Sequence, residues 1–378
     1  MNPLASLARE GEEVVALGRS LADGDVPSPG DMADASLLAP MRGAPHDPVH
    51  HAEGDPLVHT HMVARELVRL PDFSDLSEPH RLALALAVLL HDCAKPETAV
   101  VTDGRVSHPN HAPKGARKAR AALYAAGLDP AVREGVAALC RRHMQPHHAL
   151  RSRESDVALL RWLAATSLDV PARLMLLLAE ADAKGRHAPK GDDSAALLRD
   201  FAVEHDVLDR PWPFPDATAR LACCRDEDRD PRFPTGVPEA GPVVTILCGL
   251  PGSGKSTLAT DLDAERISVE DLMATMERGR AVQAAKERLR QALRDGRDAI
   301  WDATMLTRML RRQIVGLAED YGARARILVH EVPETVRAGR NRERSSPVPD
   351  AAVADMARAW EMPGWDEALY LEGRPIRL

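Results

Sequence analysis

The apolar positions in the first part of the chain recur every three or four residues, as they do along one face of a helix. Residues 4–22 predict an amphipathic helix, and residues 25–48 predict a loop. Six more helices are predicted, over 57–70, 77–90, from 113 onward, and over 130–142, 155–166 and 173–182. No segment before Phe201 alternates apolar and polar residues as a strand does, so the first domain is predicted to be all-helical.

From Val243 onward, short apolar runs alternate with helical segments. Strands are predicted at residues 243–248, 267–268, 299–301 and 327–329, and helices from Thr257 and over 282–295 and 308–321. This alternation predicts a parallel sheet with helices on both faces. The proline-rich stretch between the two patterns is typical of a linker. We therefore predict an all-α domain at 1–205, a linker at 206–241 and an α/β domain at 242–378.

The composition is that of an ordinary globular protein, with 44% hydrophobic and 28% charged residues. Aromatic residues make up only 3%, so Ala, Leu and Val must supply the core. The net charge of −8 argues against a protein that coats nucleic acid, although it permits a local basic groove. Five cysteines without paired spacing favour a reducing compartment. With no leader pattern and no apolar run of about 20 residues, we expect a cytoplasmic protein without a membrane partner.

The segment Gly249–Ser256 fits the pattern of a glycine, any four residues, and then Gly-Lys-Ser. It follows a predicted strand and begins a predicted helix, which is the context of a loop whose backbone N–H groups surround a polyphosphate. Lys255 is expected to reach the β- and γ-phosphates of ATP, and the Ser256 hydroxyl to join the shell of a Mg²⁺ ion. The predicted nucleotide-binding residues are Gly249, Gly252, Ser253, Gly254, Lys255, Ser256 and Thr257.

Histidines are crowded in the helical domain. His91 and Asp92 end a strongly apolar helix, where a polar pair is costly unless it has partners. The available partners are His59, His111, His143 and Asp182. Imidazoles and carboxylates from separate helices suit one or two ions of Mn²⁺, Fe²⁺, Co²⁺, Ni²⁺ or Zn²⁺, with one Asp able to bridge two ions. Such a centre can activate a water molecule and bind a phosphoryl oxygen.

These residues resemble the HD phosphohydrolase family. The resemblance lies in His59-Thr60, in His91-Asp92 followed by Lys95, and in Ala181-Asp182 with Gly185-Arg186. The segments 51–55, 111–115 and 143–146 also resemble those of HD domains that act on nucleotide or RNA phosphoesters. It implies that His59, His91, Asp92 and Asp182 hold a first metal ion. It also implies that His111 and His143 bind a second ion or the phosphate, and that Lys95 contacts phosphate. His46 is expected to be an ordinary hydrogen-bonded residue, and ligation by His147 or His148 is less favoured.

Residues 243–378 resemble the polynucleotide 5′-kinase family of P-loop phosphotransferases. The resemblance is carried by Gly249–Ser256, the strand end Ile267–Asp271, Asp302-Ala303-Thr304, and Arg340-Asn341 with Arg344. It implies a general base that takes the proton of a 5′-hydroxyl, supplied by Glu270 or Asp271. The spacing from Ser268 favours Glu270. Arg340 and Arg344 are expected on a lid that closes over the triphosphate, and Asp302 beside it in the catalytic site.

Two positions depart from the kinase pattern. Met273 occupies the position of an arginine that contacts the acceptor phosphate, and Met305 that of an asparagine. Arg308, Arg311 and Arg312 are alternatives for the acceptor groove.

The two domains together resemble the bifunctional HD–polynucleotide kinases that heal nucleic-acid ends. The resemblance implies removal of a 2′,3′-cyclic, 2′- or 3′-phosphate by the first domain and phosphorylation of 5′-hydroxyl ends of RNA or DNA by the second, with a ligase as a functional partner. Three alternatives stay open. The chain is a small-molecule or nucleotide kinase fused to an HD nucleotidase, an ATP-regulated HD phosphohydrolase, or a non-enzymatic scaffold that responds to ATP. The native metal, the preference for RNA or DNA and the oligomeric state are open as well.

Overall fold

The computed structural model describes residues 2–47, 51–149, 156–187, 194–226, 228–233, 240–375 and 377–378. These residues form two compact units, Met1–Trp212 with Pro375–Leu378, and Pro213–Arg374. Parts of three predicted segments lie outside the described residues, namely Pro48 of the loop, Ser155 of a helix and residues 234–239 of the linker.

The first unit consists of helices and one small hairpin. Its helices are α1 Pro3–Ala22, α2 Pro29–Asp34, a 3₁₀ turn Ala39–Met41, α3 Pro56–Leu67, α4 Pro71–Ser74, α5 Glu78–Leu90, α6 Lys95–Thr98, α7 His111–Ala125, α8 Pro130–Arg142, α9 Gln145–Ala149, α10 Asp156–Ser167, α11 Ala172–Lys184 and α12 Ser194–Glu204. The predicted helical fold of this region is confirmed. The segment predicted as loop before residue 48 contains α2 and the 3₁₀ turn.

Helix α5 lies at the centre of the helical unit. All nine residues from Leu82 to Leu90 are buried, and the helix packs against α1, α3, α7, α8 and α11. A helix that is apolar on every face must be enclosed by other elements. His91 follows immediately as the C-cap of α5. The packing of this helix therefore places His91 and Asp92 in the protein interior.

Two strands interrupt the helical pattern. Val100–Thr102 (β1) and Arg105–Ser107 (β2) pair antiparallel around Asp103 and Gly104, whose φ angles are 50° and 75°. The expectation of no strand before Phe201 is therefore wrong for this hairpin. Strands of three residues are too short to show alternation, and the Asp-Gly pair, which favours such a turn, was the available signal.

The second unit contains the predicted parallel sheet, which has five strands and therefore one, β7, that was not predicted. The strands are β3 Val243–Cys248, β4 Glu265–Ser268, β5 Ala299–Asp302, β6 Arg324–Val329 and β7 Tyr370–Glu372, and they lie in the order β4-β5-β3-β6-β7. In the register of the central strands, Ile246 of β3 lies beside Trp301 of β5 and Ile327 of β6. Parallel strands place their carboxyl ends at one edge, which brings the segments after β3, β4 and β5 together.

The helices of this unit are α13 Ala217–Arg225, α14 Lys255–Thr260, α15 Val269–Met273, α16 Arg278–Arg294, α17 Arg308–Asp320, α18 Glu334–Arg342 and α19 Asp350–Ala359. Helix α13 lies within the stretch predicted as a linker. Among the described residues, no single helix is long and apolar enough to cross a membrane. Helices α10 and α11 reach the required length and composition only as a pair bent by 108°.

Candidate functional sites

The predicted metal ligands of the helical unit come together at the ends of several helices. Residue His59 lies within α3 and Asp182 within α11, whereas His91, His111 and His143 lie at the C-cap of α5, the start of α7 and the C-cap of α8. With Asp92, all six are buried. The fold therefore gathers residues that lie up to 123 positions apart (59 to 182) into one cluster.

Hydrogen bonds orient the imidazole rings of the cluster. The Nδ1 atom of His91 donates to Val88 O at 2.8 Å, and that of His143 donates to Cys140 O at 2.8 Å. The Nδ1 atoms of His111 and His59 donate at 2.8 Å to His108 O and Glu53 Oε1, respectively. When Nδ1 carries the proton, Nε2 presents a lone pair. This is how metal-binding histidines are fixed by their neighbours.

The two carboxylate oxygens of Asp92 face different histidines. Oδ2 lies 3.2 Å from His91 Nε2 and 3.9 Å from His59 Nε2, whereas Oδ1 lies 3.5 Å from His111 Nε2 and 3.7 Å from His143 Nε2. The ligand atoms form two groups, one of His59, His91 and Asp92 and one of Asp92, His111 and His143, in each of which they lie within 4.8 Å of one another.

This arrangement fits bound cations. Within the described residues, His59 Nε2, His91 Nε2 and Asp92 Oδ1 are buried and make no hydrogen bond. The Nε2 atoms of His111 and His143 lie 3.2 Å apart although both of their Nδ1 atoms serve as donors, so two lone pairs face each other. A bound cation would give the buried polar atoms a partner and would remove the repulsion between the two lone pairs. The residues therefore suit one or two divalent ions, with Asp92 shared.

Burial and neighbouring charges set the protonation of these groups. Burial lowers the pKa of His143 well below its usual range and also lowers that of His111, which keeps both imidazoles neutral. Burial alone would raise the pKa of Asp92, but His91 and Lys95 outweigh it, and the pKa lies well below its usual range. Neutral imidazoles and ionised carboxylates are the forms that bind metal ions.

Asp182 is held by two residues that the sequence did not single out as ligands. Arg186 donates to both carboxylate oxygens, and His147 Nε2 lies 3.0 Å from Oδ2. The other oxygen, Oδ1, lies 3.0 Å from His59 Nε2. Arg186 and His147 therefore fix the orientation of Asp182 toward His59.

Glu53 is a further residue that the sequence analysis missed. Its Oε1 accepts hydrogen bonds from His59 Nδ1 and His51 Nδ1, both at 2.8 Å, and its Oε2 accepts the backbone N–H of His187 at 3.0 Å. The side chain is only 1% exposed. The segment His51–Asp55, which contains Glu53, carries part of the family resemblance, but no role was assigned to Glu53 from the sequence. Its contact with His59 spans only six residues.

Lys95 is fixed between the metal cluster and His46. Its Nζ lies 2.7 Å from Asp92 Oδ2 and donates to His46 Nε2 at 2.8 Å. Burial and the charge of Lys95 lower the pKa of His46 to about 2, so His46 is a neutral acceptor. The His46 ring also stacks on that of His51, with centroids 3.6 Å apart. His46, expected to be hydrogen-bonded rather than a ligand, thus positions the ammonium group of Lys95.

A cavity of about 570 Å³ opens onto one side of this cluster. Asp92, His111 and His143 line it, together with Lys95 and Arg186. His59, His91 and Asp182 are not among its lining residues in the described part of the chain, so they lie on the deeper side. Hairpin residues Val106 and Ser107 contribute to its wall. A ligand in this cavity would meet two positive side chains beside the His111–His143 pair.

The glycine-rich loop of the second unit follows β3 and begins α14. Gly252 and Gly254 have φ angles of 84° and 102°, which favour glycine. A Cβ atom on Gly249 would lie 2.2 Å from His330 O, so the chain passes too close for a side chain. Lys255 is buried, its Nζ donates to Leu250 O at 2.8 Å, and burial lowers its pKa to about 8.

A cavity of about 880 Å³ surrounds this loop. The predicted nucleotide-binding residues that line it are Gly252, Gly254, Lys255, Ser256 and Thr257. The predicted catalytic residues that line it are Lys255, Glu270, Asp302, Arg340 and Arg344. Gly249 and Ser253 are not among its lining residues within the described chain, although both belong to the same loop.

The two alternatives for the general base face different surroundings. Glu270 lines the cavity and forms an ion pair with Arg344. Asp271 is not among the described lining residues, and its carboxylate lies 3.2 Å from Arg266 NH1. Arg266 also donates from Nε to Asp302 Oδ2 at 2.8 Å.

Two arginines of helix α18 have different partners. Arg340 on α18 lines the cavity and donates from NH1 to Ser253 O at 2.9 Å. Arg337 is fully buried and donates to Pro251 O at 3.1 Å and to Glu334. Arg337 therefore joins helix α18 to the loop, whereas Arg340 faces the cavity.

The arginines considered for the acceptor groove do not line this cavity in the described structure. Arg311 is fully buried, with Nε 2.7 Å from Glu367 Oε2 and NH2 2.9 Å from Glu367 Oε1. Arg308 pairs with Asp366, and Arg312 is exposed elsewhere. Arg311 thus stabilises the packing of the unit and does not contribute a charge to the cavity wall.

Two family models match the chain, one within each unit. Residues 57–182 match the family model described as HD domain, and residues 244–363 match the one described as AAA domain. The first match runs from the start of α3 to Asp182 and so includes every predicted metal ligand of the cluster. The second includes the glycine-rich loop and the lid. A comparison with curated proteins gave no match to this chain. The chain joins an HD phosphohydrolase domain to a P-loop kinase-like domain.

Proposed function

We propose that this chain heals nucleic-acid ends. In this proposal the P-loop domain transfers the γ-phosphate of ATP to a 5′-hydroxyl of RNA or DNA, and the HD domain removes a 2′,3′-cyclic, 2′- or 3′-phosphate. The observation that carries the proposal is the cavity of about 880 Å³, in which Lys255, Glu270 and an apolar wall that includes Met305 line the same space. A carboxylate beside a phosphate-binding loop suits transfer to a hydroxyl group, and the apolar wall suits a nucleoside.

The proposed kinase step divides its tasks among residues of that cavity. The loop amides and Lys255 bind the phosphates, and Ser256 would hold Mg²⁺, which neutralises phosphate charge when it is bound. Glu270 accepts the proton of the 5′-hydroxyl group. The oxygen of that hydroxyl group then bonds to the γ-phosphorus, and ADP leaves. Arg340 and Arg344 stabilise the negative charge on the transferred group. Asp302 places a second carboxylate in the same cavity, at the end of β5.

The proposed phosphoesterase step uses the buried cluster. His59, His91, Asp92 and Asp182 would hold one divalent ion, and Asp92, His111 and His143 a second. Bound ions of this kind polarise a phosphoryl oxygen and lower the pKa of a bound water molecule. Lys95 and Arg186, both on the cavity wall, attract the phosphoester and compensate its charge. His46 and Glu53 keep Lys95 and His59 in their orientations.

The kinase part is tested with labelled ATP and 5′-hydroxyl oligonucleotides of RNA and DNA. We expect labelled oligonucleotide with the wild type and none with Lys255→Ala. The outcome that refutes the proposal is an absence of transfer to either polymer, and transfer to a free nucleoside or sugar alone would instead support the small-molecule alternative.

The phosphoesterase part is tested with oligonucleotides that end in a 2′,3′-cyclic or a 3′-phosphate, with Mn²⁺, Ni²⁺, Co²⁺ or Zn²⁺ added. His91→Ala should lose hydrolysis while retaining transfer from ATP. If Lys255→Ala also lost hydrolysis, the ATP-regulated alternative would be favoured over independent activities.

A further inference from the structure

One face of helix α16 lines the kinase cavity. Arg278, Val282 and Lys286 are spaced four residues apart and all belong to the cavity wall. They lie beside the buried stripe of Ala281, Ala285 and Leu289, which anchors the helix in the unit. Helix α16 also packs against α15, the helix that carries Glu270 and Met273. The cavity therefore has a wall with two positive side chains next to the candidate base.

The charges of this wall are not neutralised by carboxylates. Lys286 Nζ donates to the neutral Gln313 Oε1 at 3.0 Å, and Gln313 lines the same cavity from α17. Arg278 has no hydrogen bond or ion pair in the described part of the chain. In contrast, Arg290 and Arg294 on the same helix both pair with Glu287. Two available cations that face a cavity in a chain of net charge −8 point to an anionic ligand.

Another part of the cavity wall is apolar, which limits the class of ligand. Met305, Leu310, Ile314 and Met356 line the same cavity. Apolar side chains favour the flat face of a nucleobase, and flexible methionines adapt to bases of different shape. A polar sugar without a base would gain little from such a wall. The combination of two cations with an adaptable apolar wall fits a nucleotide bound without strong base preference.

We infer that Arg278 and Lys286 form the acceptor-phosphate subsite of the kinase. They bind the phosphate on the 3′ side of the nucleoside whose 5′-hydroxyl is phosphorylated, the role that Met273 cannot perform. The acceptor class is then a 5′-hydroxyl nucleotide that carries at least one 3′-side phosphate, with little preference among bases. This inference rests on the proposed function, because it presumes a nucleic-acid acceptor.

The test compares Arg278→Gln, Lys286→Gln and Arg288→Gln in the full-length chain. Arg288 is an exposed arginine on the same helix that also lacks a described polar partner but does not line the cavity, so it is the matched control. We expect each cavity variant to raise KM for a 5′-hydroxyl oligonucleotide about tenfold, the change that a contact of about 1.4 kcal/mol represents. KM for ATP should stay unchanged, and Lys286→Arg should restore the wild-type KM.

Salt dependence gives a second readout. For single strands, removing one phosphate contact reduces the magnitude of the negative slope of log affinity against log salt by about 0.7. We expect this decrease for Arg278→Gln and Lys286→Gln and none for Arg288→Gln. With small acceptors, the wild type should prefer a nucleoside 3′-phosphate over the unphosphorylated nucleoside, and the double cavity variant should lose that preference.

The outcomes separate this inference from the proposed function. If the wild type phosphorylates oligonucleotides but the cavity variants match Arg288→Gln in KM and in salt slope, the subsite is wrong and the proposed function stands. If the wild type transfers no phosphate to any nucleotide acceptor, both are overturned.

Discussion

The metal cluster and the kinase cavity both collect charged side chains, but they hold them in different ways. In the cluster, His59, His91 and Asp182 are at most 1% exposed, and the imidazoles of His59 and His91 have an Nδ1 proton committed to a protein acceptor. In the kinase cavity, Lys255 is 7% exposed, whereas the Glu270 side chain is 68% exposed. A site for ions is enclosed by helices that the core already fixes. The kinase cavity, in which we propose that a polymer end binds, has an exposed wall.

The two sites differ in which of their side chains are held in place before a ligand binds. The helix ends that deliver His91 and His143 belong to elements packed on several sides, so their geometry is set before any ligand binds. The kinase cavity fixes its phosphate end through the loop and leaves Glu270 and Arg278 on surface helices. We therefore expect the first site to respond to changes in its buried neighbours and the second to changes in charge and pH.

The largest effects should come from removing one central group in each site. We expect Lys255→Ala to reduce phosphoryl transfer, and His91→Ala to reduce phosphoester hydrolysis, each by at least about 10²- to 10³-fold, because each removes a charge or ligand at the reacting phosphate. Parallel assays of both activities on each variant provide the measurement. The comparison fails if either substitution lowers both activities equally in a protein of unchanged melting temperature.

The next effect concerns Glu53. Replacing it with Gln should weaken metal binding by about 10- to 100-fold, because the carboxylate that accepts the Nδ1 proton of His59 is lost. Metal content after dialysis and a titration with Co²⁺, followed by its absorption bands, measure this directly. Glu66→Gln, at a partly exposed residue of α3 that pairs with Arg69, is the control and should bind metal like the wild type. Equal Co²⁺ affinity for both variants would refute the role of Glu53.

A smaller effect should follow pH in the kinase site. Burial lowers the pKa of Lys255 to about 8, so its positive charge is present below that pH and is lost as the pH rises through it. ATP prefers the charged form. Its apparent affinity should therefore be constant on the acid side and fall by up to about tenfold per pH unit above pH 8. Lys255→Arg stays charged throughout, and ATP titrations should show a flat profile for it, contrary to the wild type.

The smallest expected effect is on stability. Removing bound metal with a chelator leaves lone pairs facing one another in the cluster and should lower the melting temperature of the helical unit. A ligand at one hundred times its Kd stabilises by about 2.7 kcal/mol, which corresponds to roughly 5–10 °C for a unit of this size. Calorimetry with and without added Mn²⁺ measures the shift. An unchanged transition would mean that the cluster holds no ion with useful affinity.

The sequence predicted those features that depend on local patterns. The glycine-rich loop is a contiguous motif, and the helix periodicity around His91 and His143 is strong, so both fold classes and the metal cluster could be anticipated. Helices α15, α18 and α19 were not, since each is short or rich in charged residues. Their helical state depends on packing within the unit rather than on an apolar stripe.

Partners that are distant in the sequence could not be predicted. From the sequence, Arg311 was one of three arginines named for the acceptor groove, and Arg278 was not considered. In the folded chain, however, Arg311 is buried against Glu367, which lies 56 residues away, whereas Arg278 faces the cavity. Tertiary contacts determine which arginine forms an ion pair with a carboxylate. The long-range contact of Glu53 is of the same kind, because its Oε2 accepts the backbone N–H of His187, 134 residues away. Its contact with His59 and that of Arg186 with Asp182 are local, spanning six and four residues.

Helix α5 also has an evolutionary consequence. Because Leu82–Leu90 is enclosed on every side, the helix has no solvent-facing position in this stretch at which neutral substitutions can accumulate. A larger side chain at Ala83 or Ala85 must displace a neighbouring helix, and the displacement would reach His91 and Asp92 directly. Selection for packing and selection for chemistry therefore act on the same nine residues. We therefore expect the residues of this stretch to change slowly among related chains.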